Sequence, residues 1–428
     1  MSSITVDQTR AENMAEQPLQ EISTEAPPPA PPPPPPPPSP GVVPIQLKDC
    51  IKDLLKFTLT SSVNGELDLG LSKDYCSQLL QRDDHPSTPS SSFPLSSSTG
   101  VPSYPLYKHL AACLYHSISC GGLFRISDKL DFVHHEDNPL KLKEEEWTKL
   151  INEKGSQLLN MLATVDFELH VQEPFFSQLK DARKTVEGRC AVGNYNRIVP
   201  GAFILFNKSL LLQVQDVHKY ISFHEMLEAE SLQRVLPGVK NIEEGVQVYR
   251  NFYSEEKERS NGVLAICVTK PTSQLYSCMA AILLGLSYGG IRVMLNMVHT
   301  VGTVSERLPP PTSTLISSFL TPHNPHVKGS RLTNGARALA KHVNRSSDKY
   351  WGNFCGSDSN KNRLALDVIR RLIANCCWLN MHRVPPHGVV FEIRVADGYG
   401  ARWFADGHKF IGFLEPYMVD GHSKGWKH

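Results

Sequence analysis

The chain has 428 residues, with 44 Lys+Arg against 43 Asp+Glu, 32 prolines and 10 cysteines. At roughly 150 residues per domain it is long enough for two or three compact units, and 40% apolar with 8% aromatic residues excludes wholesale disorder. The net charge of +1 excludes a uniformly basic or acidic chain, but it averages over unlike parts.

Residues 1–45 hold Asp7, Glu12, Glu16, Glu21 and Glu25 against Arg10, a net of −4, so the remainder carries +5. Of the 32 prolines, 14 precede residue 46, including Pro27–Pro29 and Pro31–Pro38. Such runs extend as polyproline II without internal hydrogen bonds, so residues 1–45 are expected to be a disordered proline-rich arm. It is either a stiff spacer or a segment that docks on the aromatic groove of a protein partner. No basic start followed by an apolar run opens the chain, so no signal peptide is expected. Met279–Leu286 is apolar but is interrupted at Ser287, Gly289 and Gly290. It falls far short of the roughly 20 residues that cross a bilayer, which predicts a buried helix and no membrane partner. The cysteines form no C-x-x-C pair, and Cys376 and Cys377 adjoin on a predicted helix, which suits neither a disulfide nor zinc. Buried thiols in a reducing compartment, nucleus or cytoplasm, are expected.

From Leu47, Ile51, Leu54, Leu55 and Leu59 repeat at helical spacing, and Ser72 caps a second helix through Cys76, Leu79 and Leu80. Two more helices are predicted over Tyr107–Ser117 and Lys143–Leu162, with a Ser/Pro-rich loop at 82–103. Residues 46–164 thus read as a mostly helical support without a chemical motif.

Residues 165–270 are different in kind. Val165, Phe167, Leu169 and Val171 alternate with polar residues, as in a half-buried strand. Further strands are predicted at Phe203–Phe206, Leu210–Val217 and Gly262–Val268, with a capping box at Ser222 and Glu225 opening a helix. Strands that do not alternate regularly with helices predict a small mixed barrel. In Lys184-Thr185-Val186-Glu187-Gly188-Arg189 an extended backbone places Thr185, Glu187 and Arg189 on one face, and Lys184 with Val186 on the other. A polar trio on a barrel strand, beside a lysine, suits a phosphate or a base edge.

The order of motifs from Leu169 to Lys270 resembles the activating signal cointegrator homology (ASCH) domain family, related to the PUA fold. The resemblance is carried by Ala182-Arg183-Lys184-Thr185-Val186-Glu187-Gly188-Arg189 and by Pro200-Gly201 before a strand. It is also carried by Tyr220-x-Ser222-Phe223-x-Glu225-Met226-Leu227-x-x-Glu230, and by Leu236-Pro237-Gly238 followed by Glu243-Glu244-Gly245-Val246 and Tyr249. It implies a PUA-like barrel whose cleft is lined by Lys184, Thr185, Glu187 and Arg189, and which binds RNA or a modified nucleoside. Some members resemble amidohydrolases acting on N4-acetylcytidine with a lysine, a threonine and a glutamate. Lys184 and Glu230 match the first and last, while Glu187 stands where the threonine nucleophile would be. Ala182 replaces the motif glycine, and Ala202 replaces an aspartate. An enzyme of this kind, or a ribonuclease, would rest on Lys184, Glu187 and Glu230.

Residues 271–428 form an expected C-terminal α+β extension. Between 328 and 349 there are six bases and one acid, equal to the whole positive excess of the folded part. Arg337, Lys341, Arg345 and Lys349 recur at steps of four, which predicts a basic helix face beside Tyr350, Trp351 and Phe354. Such a surface suits the phosphates of RNA. A helix is predicted over Arg363–Trp378, a strand at Val389–Val395, and a hairpin of Arg402–Phe404 and Phe410–Phe413 around Asp406-Gly407. His408, His422 and His428 with Asp406 and Asp420 lack tight ligand spacing, so no metal and no cofactor is expected. The overall expectation is an α+β protein: proline-rich arm, helical region, ASCH-like barrel and C-terminal extension. It binds RNA or a nucleotide, with a hydrolase and a polyproline-recruited scaffold as alternatives.

Overall fold

The computed structural model describes residues 46–83, 100–124, 138–327, 331–345 and 349–417. The predicted proline-rich arm, most of the Ser/Pro-rich loop, and His422, His428 and Asp420 lie outside these residues.

The helical spacing of the N-terminal region produces α1 (Leu47–Val63), α2 (Lys73–Leu80), α3 (Leu106–Cys120) and α4 (Asn138–Ala163). Ser72 caps α2 by accepting from Tyr75 N at 3.2 Å. α3 stops at Gly121, whose φ of 71° is the left-handed cap geometry.

The next region contains β1 (Phe167–Leu169), α5 (Phe175–Lys180), β2 (Val186–Cys190), β3 (Phe203–Phe206) and β4 (Leu210–Tyr220). It continues through α6 (Phe223–Ala229), α7 (Leu232–Val235), α8 (Ile242–Arg250), α9 (Glu255–Asn261) and β5 (Val263–Thr269). The five strands run in the order β1-β3-β4-β5-β2. β1 and β3 are parallel and every other pair is antiparallel, so the sheet is mixed and curls into a half-barrel. β5, between β4 and β2, is an unbroken apolar run from Val263 to Val268 because both of its faces are covered. Leu264 and Ile266 join a core with Leu169, Phe206 and Leu212. Val263, Ala265 and Cys267 face a second core under α6 and α8, with Phe223, Met226 and Tyr249. The Ser222 cap holds: its side chain accepts from Glu225 N at 3.1 Å, while Glu225 reaches back to Ile221 N at 2.8 Å.

The chain then forms α10 (Leu275–Met294), α11 (Thr312–Leu320), α12 (Asn334–His342), α13 (Asp358–Asn375) and four strands, β6 (Trp378–Val384), β7 (Gly388–Arg394), β8 (Gly400–Phe404) and β9 (Phe410–Leu414). These strands make an antiparallel meander in sequence order. α10 is long and apolar enough to cross a membrane by length and composition. Its Leu275, Met279, Ile282 and Leu283 are nevertheless buried in one core with α1, α3 and α4, and with Phe391 and Trp403 of the C-terminal sheet. Contact with α4 is close: a Cβ on Gly285 would sit 2.3 Å from Leu150 Cδ2. All ten cysteines are free thiols.

Two predicted helices are shorter than expected. The helix expected to reach Trp378 ends at Asn375, because Trp378 pairs with Arg394 as the first residue of β6; Cys376 and Cys377 therefore lie in the connection. The basic helix ends at His342, and Lys349 has a φ of 52°, so Arg345 and Lys349 do not continue it.

Candidate functional site

A cavity of about 390 Å³ opens beside β2, lined by Phe175, Lys184, Glu187, Arg189, Tyr249, Phe252 and Tyr253 among others. β2 aims Glu187 and Arg189 to the same side, and Arg189 Nε lies 2.9 Å from Glu187 Oε1. Lys184 precedes the strand. Its side chain curls over the strand end, so that Nζ lies 3.1 Å from Glu187 Oε2 and donates to Val186 O at 2.8 Å and Val235 O at 2.5 Å. The alternation expected of an extended chain would have kept Lys184 on the other face. A tight turn at 181–183 overrides it, with Ala182 in the left-handed region at φ 57°, the position where the motif carries glycine.

Lys184 is 2% exposed and Glu187 6%. Burial lowers the Lys184 pKa, against the pull of Glu187. Burial pushes the Glu187 carboxyl up, but Lys184 and Arg189 outweigh it and hold the group below its ordinary value. Arg189 is raised: burial opposes its charge and the Glu187 carboxylate more than compensates. The Glu187 carboxylate is thus held ionised between two basic side chains. Arg189 is further fixed by donating to His170 O at 2.8 Å and lies over the Tyr195 ring. Gly188 lets Tyr249 close the wall, since a Cβ there would meet the Tyr249 hydroxyl at 2.4 Å. Phe252 is 46% exposed, a flat apolar ring bordering the cavity.

Two expected members stand elsewhere. Thr185 accepts from Arg234 Nε at 3.3 Å and its backbone pairs with Arg234 and Val268, outside the cavity. Glu230 lies on the opposite face of the sheet, because the register pairs Val186 with Cys267 and Cys267 with Asp216, one residue out of phase with Glu187. There it binds His218 Nδ1, accepts from Tyr220 Oη at 2.9 Å and from Cys267 Sγ at 3.8 Å, and lies 3.6 Å from Arg234 Nη1. The donor atoms of His218, Glu230 and Cys267 lie within 4.8 Å of one another, a mixed set that suits zinc. The adjacent guanidinium and the tyrosine hydroxyl already satisfy the carboxylate, so these residues read as a hydrogen-bonded cluster. The lysine–threonine–glutamate arrangement of the amidohydrolase comparison is therefore not assembled in the cavity.

Arg337, Lys341, Arg345 and Lys349 are all exposed, the first two on α12 and the others beyond it. The aromatic residues expected to lie open beside them do not. Trp351 is 2% exposed and donates to Glu415, while Tyr350 stacks on Tyr399 at 3.7 Å. Trp351 is drawn into the core against Phe413 of β9, while Tyr350 and Phe354 are half-buried.

Sequence reasoning assigned no chemistry to the C-terminal sheet, yet it carries a second charged cluster. Glu392 is 2% exposed. Its Oε2 lies 3.2 Å from His382 Nε2 and accepts from Arg402 Nη2 at 2.6 Å and Nε at 2.9 Å; Oε1 accepts from Arg394 Nε at 2.7 Å. Burial pushes this carboxyl up, but His382, Arg394 and Arg402 prevail and set it at about 2. His382 on β6 and Arg402 on β8 each lie ten residues from Glu392 on β7, and Arg394 lies two residues along β7. Only the strand register, which pairs Glu392 with Arg402, brings them together.

The half-barrel and its Lys184–Glu187–Arg189 cavity fall in the segment that matches a family model, the ASCH domain, over residues 169–272. Residues 169–272 are thus an ASCH domain within a longer chain. Hypothetical protein PH0355, known from a crystal structure, is 44% identical over 24% of this chain and 97% of its own, with a TM-score of 0.24. Protein PF0455 from Pyrococcus furiosus, solved by NMR in solution, is 46% identical over 25% of this chain and 97% of its own, with a TM-score of 0.23. Residues 321–415 match a different family model, the CdiA C-terminal tRNase toxin domain. No curated protein matches.

Proposed function

We propose that this protein binds RNA through the ASCH cavity, taking up one unstacked base or nucleoside, with the exposed bases Arg337, Lys341, Arg345 and Lys349 contributing to the hold on phosphate. The observation that carries this reading is the convergence of Lys184, Glu187 and Arg189 at an aromatic-walled cavity of about 390 Å³. That volume lies in the range of small-ligand sites. Glu187 accepts from an amino-bearing base edge, Arg189 and Lys184 balance its charge, and Phe252 offers a face for stacking. The test is binding of single-stranded RNA across a salt series. Affinity is expected to fall steeply with salt, with Arg337→Ala and Lys341→Ala each reducing the slope by about one. Phe252→Ala, at an exposed position, is expected to weaken binding at least tenfold. Binding that is absent or independent of salt sinks the reading.

The tRNase match favours a second activity, cleavage of RNA, and favours the C-terminal sheet rather than the ASCH cavity for it. The same RNA incubated with the protein and resolved by length tests this: intact RNA after prolonged incubation counts against it. The localisation that suits both activities is nucleus or cytoplasm. A protein partner for the proline-rich arm is a separate proposal, tested by deleting residues 27–40 and assaying co-purification.

A further inference from the structure

The side-chain nitrogen of Lys184 has three partners, all within the protein. Two belong to its own strand end, Val186 O at 2.8 Å and Glu187 Oε2 at 3.1 Å. The third is Val235 O at 2.5 Å, and Val235 is the last residue of α7, a different part of the chain. Where Lys184 Nζ sits at the cavity therefore depends on where α7 sits. α7 is a single turn of four residues. A helix that short has no stability of its own, so its neighbours must fix it.

Those neighbours lie on the far face of the sheet. α7 follows Glu230, the C-cap of α6, through Ser231, whose φ of 68° is costly for a residue with a Cβ. Such a junction persists only where surrounding contacts enforce it. Glu230 is buried and supplies them. It accepts from Tyr220 Oη at 2.9 Å and binds His218 Nδ1, both on β4, and lies 3.6 Å from Arg234 Nη1 on α7. Arg234 in turn grips the residue next to Lys184. Its Nε donates to Thr185 Oγ1 at 3.3 Å, and its carbonyl accepts from Thr185 N at 2.9 Å. An unbroken series of contacts thus runs from β4 through Glu230 and α7 to Lys184, although neither Glu230 nor Arg234 lines the cavity.

We propose that Glu230 and Arg234 are positioning residues for the cavity: from the opposite face of the sheet they lock α7, so that the Val235 carbonyl holds Lys184 against Glu187. The motif glutamate that would be catalytic in an amidohydrolase here has a mechanical duty. Glu187 keeps one orientation toward a ligand while Lys184 is seated on its Oε2. A loosened α7 frees Lys184 and lets the carboxylate turn. The effect on affinity rests on the reading of the cavity as the RNA site; the placement of Lys184 does not.

The experiment treats the full-length protein, without RNA, with formaldehyde and dimethylamine-borane, and reads methylation of each lysine by peptide mass. Lys143, 61% exposed, is the internal reference. Glu230→Ala and Arg234→Ala are each expected to speed Lys184 methylation about tenfold relative to Lys143, and Arg234→Lys to recover part of the protection. Arg234 is 52% exposed, so its replacement leaves the core intact. Should Glu230→Ala fail to fold, as judged by its melting transition, Tyr220→Phe takes its place, since it removes one hydrogen bond to Glu230. Affinity for single-stranded RNA is expected to fall about tenfold in Arg234→Ala. Added to Lys184→Met, the same change should cost nothing further; if Lys184→Met does not fold, methylation alone decides. Unchanged Lys184 methylation in the folded variants overturns the proposal. So does an Arg234→Ala loss that adds in full to that of Lys184→Met, the mark of an arginine that touches phosphate itself. Faster methylation in a protein without RNA affinity upholds the positioning of Lys184 and overturns the RNA reading alone.

Discussion

Glu187 and Glu392 solve the same problem in two regions of the molecule. Each is a nearly sealed carboxylate on a strand, held ionised by cations that outweigh its burial. The surroundings differ. Glu187 is held by a lysine that is itself sealed at 2% exposure and by one arginine, at an enclosed aromatic cavity. Glu392 is held by two arginines and a histidine that reach solvent, on a sheet face. Enclosure beside aromatic walls suits recognition of a small ligand. A carboxylate shared among three strand-borne basic groups ties β6, β7 and β8 together. The same kind of buried anion thus sits in two unlike settings, set apart by which cations hold it and how open they are.

The largest expected effect breaks the first triad. Glu187→Ala strands the Lys184 ammonium in the interior and is expected to cost about 3–5 kcal/mol in denaturant unfolding. Lys184→Met in the same chain should recover part of that loss, because the stranded charge is gone. Glu392→Ala is expected to cost less, since its partners can turn to water; an equal or larger loss would erase the distinction drawn between the two sites.

Acid sharpens the comparison next. The Glu392 carboxyl is depressed from 4.5 to about 2. Its stabilising contribution is complete above pH 4.5 and is lost as pH falls toward 2, amounting to about 3 kcal/mol. Glu187 shifts in the same direction, so it too loses stabilisation on acidification. Melting temperature followed from pH 6 to pH 2 should show a shallower fall in Glu392→Gln than in the wild type.

Gly188→Ala probes the cavity alone. The added methyl meets the Tyr249 ring, so overpacking of about 1–3 kcal/mol is expected. RNA affinity should fall while any cleavage by the C-terminal sheet persists, and loss of both functions would show the sites to be coupled. The smallest effect is at the turn that aims Lys184. Ala182→Gly relieves a left-handed backbone. After the entropy glycine adds to the unfolded chain, about 0.5–1 kcal/mol of net stabilisation is expected in thermal unfolding.

Much of the architecture was legible because it rests on short-range patterns. Helical spacing located α1 to α4, Ser72 and Ser222 announced their caps, and the apolar run of β5 marked a strand covered on both faces. Errors fell where tertiary packing outvoted local pattern. The four-residue spacing of Arg337, Lys341, Arg345 and Lys349 implied one helix, but Val343 begins its end and Trp351 turns inward to Glu415 and Phe413. Trp378 fits the period of the preceding helix, yet pairing with β7 made it the start of a strand.

By itself, the sequence determined which residues carry charge, where the chain turns, and that Lys184, Glu187 and Arg189 lie near one another, because the three fall within six positions of chain. The tertiary structure alone decided that Glu230 faces away from them and that His382, Glu392, Arg394 and Arg402 meet. Both outcomes depend on strand register, and a shift of one residue sends a side chain to the opposite face of the sheet. Local spacing records composition along the chain; register across strands is fixed only when the cores on either side of the sheet close.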